Sequence, residues 1–236
     1  MQPGPKPKGK VRCVWSPEFA YAIGLITTDG CLSRDGRHVD LTSKDREQLI
    51  TFLDCLGVTS NISLKTSGSS SRTYPRVQIG DVLFYNFLVS IGLTPAKSKT
   101  LGRVNIPDEY FFDFLRGAFD GDGTFYSYYD PRWKSSFMFY TSFVSASSQY
   151  LQWLRGELFN RLGINGHVSG DGRKKISVSQ LRFAKEESLK VLRAMYYKNN
   201  IPYLRRKKLK IDKALRTIGV VLNRRAQVEK LVNSPA

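Results

Sequence analysis

One ten-residue pattern occurs twice, as YAIGLITTDG at 21–30 and as FLRGAFDGDG at 114–123. Gly24 in the first copy corresponds to Gly117 in the second, and Asp29 to Asp122, each pair 93 residues apart. Each copy reads as an apolar helix with a glycine in mid-face and an Asp-Gly end. Ser16 is placed to cap the first helix, Pro17 fits its first position, and Glu18 suits the positive end of the dipole. A mid-helix glycine costs about 1 kcal/mol relative to alanine, a cost that makes sense where a second backbone must approach closely. Gly30 reads as the left-handed residue that ends a helix. Asp29, and Asp120 and Asp122 in the second copy, break a rule, because a carboxylate in the last turn opposes the negative end of the dipole. Local rules broken twice in the same way mark functional positions. If the helices pack through Gly24 and Gly117, their C-terminal ends are neighbours and Asp29 faces Asp122. Two such carboxylates repel unless a cation lies between them. Hard oxygen ligands with open positions suit Mg2+, with Mn2+ or Ca2+ able to occupy the same site.

The two copies, AIGLITTDG at 22–30 and LRGAFDGDG at 115–123, resemble the motif of the LAGLIDADG homing endonucleases in their single-chain, two-motif form. The resemblance implies paired motif helices between two similar halves and a catalytic divalent metal on the acid before each final glycine, here Asp29 and Asp122. Thr27 stands where the second copy has Asp120, a position that is not the family's metal ligand. The resemblance also implies saddle-shaped antiparallel sheets and a basic residue near each scissile phosphate. Aligning Leu101 with Leu209 nominates Lys99 and Lys207 for that role. Arg116, inside the second motif, is expected beside the helix interface.

The chain has 236 residues and a net charge of +17, from 37 Lys and Arg against 20 Asp and Glu. That excess points to nucleic acid. A membrane role is disfavoured, since the apolar run from Phe19 to Ile26 falls far short of the roughly 20 residues that span a bilayer. With no secretory leader the expected location is cytoplasm or an organellar matrix. Cys13, Cys31 and Cys55 are odd in number and lack CxxC spacing, which argues against a disulfide scaffold and a zinc finger. His38 and His167 are too few and too isolated for a histidine-based metal or triad site, although His38 could read a base edge.

The remaining pattern predicts a duplicated α+β fold of order α-β-β-α-β-β-α. Residues 1–14 read as a flexible basic arm, 15–100 as the first half, and 101–236 as the second half with an added helix near 211–232. In the first half a strand is expected at 37–43, a helix ending at Gly57, a hairpin from 61–65 and 76–79, and a helix over roughly 81–91. In the second, strands are expected at 124–129 and 136–145, a helix at 149–162, a hairpin from 166–169 and 174–179, and a helix at 185–196. Strand ribbons can enter the major groove and present alternate side chains to base edges. Candidate DNA contacts are Asn61, Ser63, Lys65, Arg76 and Gln78 in the first half. The second half offers Tyr126, Tyr128, Arg132, Lys134, Arg173 and Lys175. The expected activity is metal-dependent hydrolysis of both strands of double-stranded DNA at a long, roughly palindromic target, by a monomer that already contains both halves. The alternatives on the same fold are an intron RNA maturase and a non-cleaving DNA-binding regulator. The regulator reading would expect loss of an acid at 29 or 122, and both are present.

Overall fold

A computed structural model of the chain describes residues 9–66, 71–133, 135–170 and 178–222. The first half runs α1 (Pro17–Thr28), β1 (Gly30–Leu32), β2 (His38–Thr42), α2 (Arg46–Leu56), β3 (Ser63–Thr66), β4 (Thr73–Gly80) and α3 (Val82–Ser90). The second repeats this order as α4 (Phe111–Asp122), β5 (Thr124–Tyr129), β6 (Phe137–Ser145), α5 (Ser148–Leu162), β7 (His167–Gly170), β8 (Ser179–Ala184) and α6 (Lys185–Met195), followed by α7 (Arg205–Thr217). Each half holds one four-stranded antiparallel sheet, in the orders β1-β2-β4-β3 and β5-β6-β8-β7.

The sequence dictates these elements locally. Ser16 Oγ accepts from the Phe19 amide at 3.1 Å and starts α1. Gly57 and Gly163, with φ of 64° and 63°, end α2 and α5 in the left-handed region that glycine enters without penalty. Period-two alternation sorts the strands. Val39 and Leu41 on β2, Val77 and Ile79 on β4, and Leu181 and Phe183 on β8 point into the core, leaving their neighbours on the opposite face. In α1, every residue from Phe19 to Thr27 is buried, so this helix is covered on all sides rather than along one stripe.

The reason is α4, which packs directly along α1. A Cβ on Gly24 would lie 2.2 Å from the Phe114 carbonyl oxygen, and one on Gly117 would lie 2.0 Å from that of Tyr21. The two backbones therefore touch where each motif has its glycine. Arg116, fully buried, fastens this pair to the rest of the second half. Its guanidinium donates to the carbonyls of Pro202 (2.7 Å) and Met195 (2.6 Å) and to Asp113 (2.6 Å), and it lies over the Tyr21 ring. Removing one member of a buried, hydrogen-bonded ion pair costs about 3–5 kcal/mol. Arg116→Met should therefore lower the melting temperature by on the order of 10 °C. A thermal melt unchanged within about 2 °C, less than 1 kcal/mol on the same scale, would show that the guanidinium contributes no net stability.

Four expectations need correction. Within the proposed arm, residues 9–14 are anchored: the amides of Lys10 and Val11 donate to Asp81 Oδ2 at 2.5 and 2.9 Å, and Val11 is buried. Residues 1–8 lie outside the described residues. The last strand runs to Ala184, five residues past its expected end at Ser179, because Leu181 and Phe183 supply the inward alternation; residues 171–177, which include most of the expected strand, lie outside the described residues. The added helix begins at Arg205, six residues before the expected start, and ends at Thr217 ahead of Gly219 with φ of 70°. Gly30 does not take a left-handed conformation. It opens β1 so close to α1 that a Cβ would sit 2.6 Å from the Ile26 Cα, so the glycine is required for contact rather than for φ.

Candidate active site

The ends of the two motif helices form the centre of the site. Asp29 caps α1, its amide donating to the Leu25 carbonyl at 2.9 Å, and Asp122 is the last residue of α4. Gly121 lets the second helix lie flush against the first, since a Cβ there would fall 2.0 Å from Thr28 Oγ1 and 3.2 Å from Asp29 Oδ2. Burial, and after it the charge of Asp122, pushes the Asp29 carboxyl up to about 7, against the opposing pull of Lys207, Lys97 and Arg206. Burial likewise raises Asp122 above the usual carboxylate range, with Lys207 and Lys97 opposing. Two acids at adjoining helix ends fit a divalent cation well. Among the described residues no group of three or more His, Cys, Asp or Glu could hold a metal. Two carboxylates with the remaining positions left to water or phosphate oxygens match the habit of Mg2+.

Two buried lysines neutralise the helix ends. Lys207 Nζ donates to the carbonyls of Phe119 (2.6 Å), Asp120 (2.8 Å), Gly121 (3.0 Å) and Gly123 (2.7 Å). Lys97 Nζ donates to the carbonyl of Gly30. Gly30 and Gly123 are the final residues of the two motifs, so Lys97 is the counterpart of Lys207. Lys207 satisfies orphaned carbonyls of α4, and both ammonium groups offset the negative dipole ends on which the acids sit. Burial lowers the Lys97 ammonium below the ordinary lysine range and brings Lys207 down to about 8.

The pairing of Lys99 with Lys207 does not hold, because Lys99 is exposed. The matching leucine is misplaced too: Leu209 is 54% exposed, and the buried counterpart of Leu101 is Ile211. The second motif's extra acid has a separate task. Asp120 is buried, and its Oδ2 accepts from the Tyr21 hydroxyl (2.9 Å) and the Leu204 amide (2.7 Å), tying α4 to α1 and to the start of α7. In the first motif Thr27 donates to its own helix, to the Ile23 carbonyl at 2.8 Å.

A cleft opens on each side of the acid pair. The one on the first-half side, ≈ 460 Å³, is lined by Asp29, Asp122, Ser43, Gln48 and Arg206 among others. The one on the second-half side, ≈ 320 Å³, is lined by Asp122, Thr27, Thr28, Lys97 and Tyr150 among others. Gln48 and Tyr150 carry no motif and read in the sequence only as helix residues.

The sheet faces turned away from the core carry most of the remaining candidates. Arg76 and Gln78 alternate with buried Val77 and Ile79 on β4, and Ser63 pairs with Arg76 across to β3. Lys65 and Arg76 each lie 3.6 Å from Asp40 Oδ2, while Asn61 is exposed just before β3. On the second sheet Tyr126 and Tyr128 stack nearly parallel, joined by Tyr140 at ring distances of 5.0 and 6.2 Å. Arg182 lies over Tyr140 and donates to the Tyr126 hydroxyl at 3.3 Å. Tyr140 and Arg182 belong to no sequence motif, although their alternation with buried Phe139, Thr141, Leu181 and Phe183 is the signal that could identify them. Arg132 sits between β5 and β6, 82% exposed and paired with Asp130. Lys134, Arg173 and Lys175 lie outside the described residues. No helix among the described residues is long and apolar enough to cross a membrane.

This geometry can be set beside known proteins. No curated protein matches the chain in sequence. Residues 16–92 match the LAGLIDADG-like domain family. Among solved structures, full-length DUF199/WhiA from Thermatoga maritima superposes with a TM-score of 0.53 at 15% identity, over 94% of this chain and 68% of that one. The homing endonuclease I-DmoI, in complex with DNA and Ca, gives 0.53 at 16% identity over 82% of this chain and 96% of that one. The homing endonuclease I-WcaI, bound to its DNA recognition sequence, gives 0.52 at 14% identity over 95% and 97%. Residues 16–92 therefore form a LAGLIDADG-like domain, and the chain as a whole has the two-motif LAGLIDADG homing endonuclease fold.

Proposed function

We propose that the protein is a site-specific DNA endonuclease that hydrolyses both strands of a long, roughly palindromic duplex target. The observation that carries this reading is the pairing of Asp29 with Asp122 at the touching ends of α1 and α4, between two clefts and two outward-facing sheets. Asp29 and Asp122 would hold a divalent cation, Mg2+ by preference, which when bound supplies an activated water and stabilises the leaving 3′ oxygen. Lys97 and Lys207 keep the two motif ends neutralised and leave positive charge beside the phosphate that enters each cleft. Lys99, exposed two residues from Lys97, serves as a phosphate contact.

Arg76, Gln78, Lys65, Ser63 and Asn61 on one side, and Tyr126, Tyr128 and Arg182 on the other, place the duplex and read it. The net charge of +17 supports duplex DNA as the partner, and I-DmoI and I-WcaI, which share the fold, are bound to DNA in their solved structures. Two halves each addressing one helical turn cover about 20 bp. Since the two faces differ in sequence, the half-sites differ as well. The duplication supplies both halves, so the working unit is a monomer.

The test is cleavage selection on a randomised duplex library with Mg2+, and with EDTA as the control. One enriched site of about 20 bp, cut on both strands only with the metal, is the expected result. Enrichment by binding without cutting in Mg2+, Mn2+ or Ca2+ would overturn the endonuclease reading in favour of a non-cleaving regulator.

A further inference from the structure

We infer that Tyr150 is a positioning residue for water in the cleft on the second-half side, so that the two strands are cut by chemically different pockets. The inference rests on the endonuclease reading above.

The two halves place α2 and α5 at equivalent points, each following the second strand of its sheet. Their N-caps are Asp45 and Ser147, and three residues beyond each cap stand Gln48 and Tyr150. Both side chains are buried, at 3% and 2% exposure. The Gln48 amide is engaged at both ends. Its Oε1 accepts from Ser43 Oγ at 2.5 Å, and its Nε2 donates to the Asp120 carbonyl at 3.1 Å.

Tyr150 occupies the same place with different chemistry. Its hydroxyl is buried and has no hydrogen-bond partner among the described residues. A buried hydroxyl left without a partner costs about 1–3 kcal/mol. The residue lines the ≈ 320 Å³ cleft together with Asp122, Thr27, Thr28, Lys97 and Ser98. Leu101, Val144, Ala146 and Val178 make much of the lining apolar, so a water in the cleft, which needs two to four polar partners, is confined to its few polar groups. The Asp122 carboxylate is close enough for its charge to act on the phenol, second only to burial in keeping it protonated. The hydroxyl is thus a neutral donor beside one of the two acids, with its bonding capacity unspent on protein groups. A water held between Tyr150 and Asp122 meets both requirements. No equivalent hydroxyl faces the first-half cleft at position 48, where the amide is already committed.

The variant Tyr150→Phe removes the oxygen and keeps the ring. The measurement uses the duplex recovered by library selection, labelled separately on each strand, with wild type and variant in Mg2+. Duplex affinity and metal-free melting temperature are measured alongside. The expected result is one strand cut at the wild-type rate and the other about 10–100-fold more slowly, the range for loss of a group that orients metal-bound ligands. Nicked duplex should accumulate, affinity should hold, and the melting temperature should stay level or rise, because no hydrogen bond within the protein is lost.

Equal rates on both strands would overturn the inference. So would a melting temperature several degrees lower, which would show that the hydroxyl is bonded within the core. If wild type itself cuts no duplex, the endonuclease reading fails and the inference falls with it; equal cutting by the variant sinks the inference alone.

Discussion

Gly117→Ala is expected to destabilise the protein by about 4 kcal/mol or more, a cost in the exceptional range for a single substitution. Its melting temperature should fall by at least about 10 °C. The added methyl would lie 2.0 Å from the Tyr21 carbonyl oxygen, 2.9 Å from the carbonyl carbon and 3.1 Å from the Gly24 Cα. All three are backbone atoms, so no side chain can swing aside. The helices would have to part, yet α1 is buried on every face and tied to α4 through the Tyr21–Asp120 hydrogen bond. Gly156→Ala is the matched control. Gly156 lies on the outer side of α5 with nothing within 4 Å of where the methyl would stand, so alanine should stabilise by about 0.5–1 kcal/mol. Opposite signs for the two variants in one thermal-melt series would separate helix contact from helix propensity. A Gly117→Ala protein that melts like wild type would mean the two backbones do not touch.

Asp29→Asn should show the cost of the acid pair through its pH dependence. Unfolded, Asp29 titrates near about 3.9. In the metal-free folded protein, burial and the Asp122 charge push it up to about 7. Between those values the folded state holds a proton that the unfolded state has released. Raising the pH from about 4 to about 7 therefore withdraws stability from wild type, and the penalty is complete above about 7. Asparagine carries no such penalty. The variant's advantage should open across that window and then level off. Roughly three units at about 1.4 kcal/mol each set a ceiling near about 4 kcal/mol, and solvent access to Asp29 reduces this to about 2–3 kcal/mol, or on the order of 5–10 °C. Lys207, brought down to about 8 from the ordinary lysine value near about 10.4, acts in the opposite sense and in a higher range: between those values only the unfolded state holds the proton, so its penalty accrues as pH falls and is complete below about 8. The comparison therefore belongs below it, where Lys207 is charged in both. Millimolar Mg2+ should raise the wild-type melt and close the gap, because a ligand that binds only the folded acid pair stabilises only the protein that has it. Parallel pH curves for the two proteins would contradict the raised Asp29 carboxyl, held up by burial and, after it, by the Asp122 charge.

The duplicated fold is legible in the sequence because its strongest signals are local. Glycine in mid-helix, Asp-Gly at the end, and period-two alternation on β2 and β4 each have one economical structural explanation. The lysines are harder. Lys97 sits on a short 3-10 turn and Lys207 on the first turn of α7, so equal spacing from a leucine does not give equal position. Burial separates Leu209 from Ile211, and burial belongs to the tertiary structure. Gln48 and Tyr150 look like ordinary helix residues until the sheets and motif helices enclose them. The tether at the start of the chain depends on Asp81, some 70 residues away, which no local pattern reveals. The expected place of β8 is shifted because the Ser-Val-Ser stretch at 177–179 alternates as plausibly as Gln-Leu-Arg-Phe at 180–183, and only sheet register distinguishes them.

The decisive measurement is cleavage of the selected duplex by wild type, Asp29→Asn and Asp122→Asn at saturating protein in Mg2+, with binding measured on the same samples. Wild type should cut both strands. Each asparagine variant should bind the duplex and leave it uncut within detection, since removing one carboxylate breaks a cation site built from two. Cutting by either variant at the wild-type rate, or binding by wild type with both strands left intact, would contradict the assignment of Asp29 and Asp122 as the joint metal ligands of a nuclease.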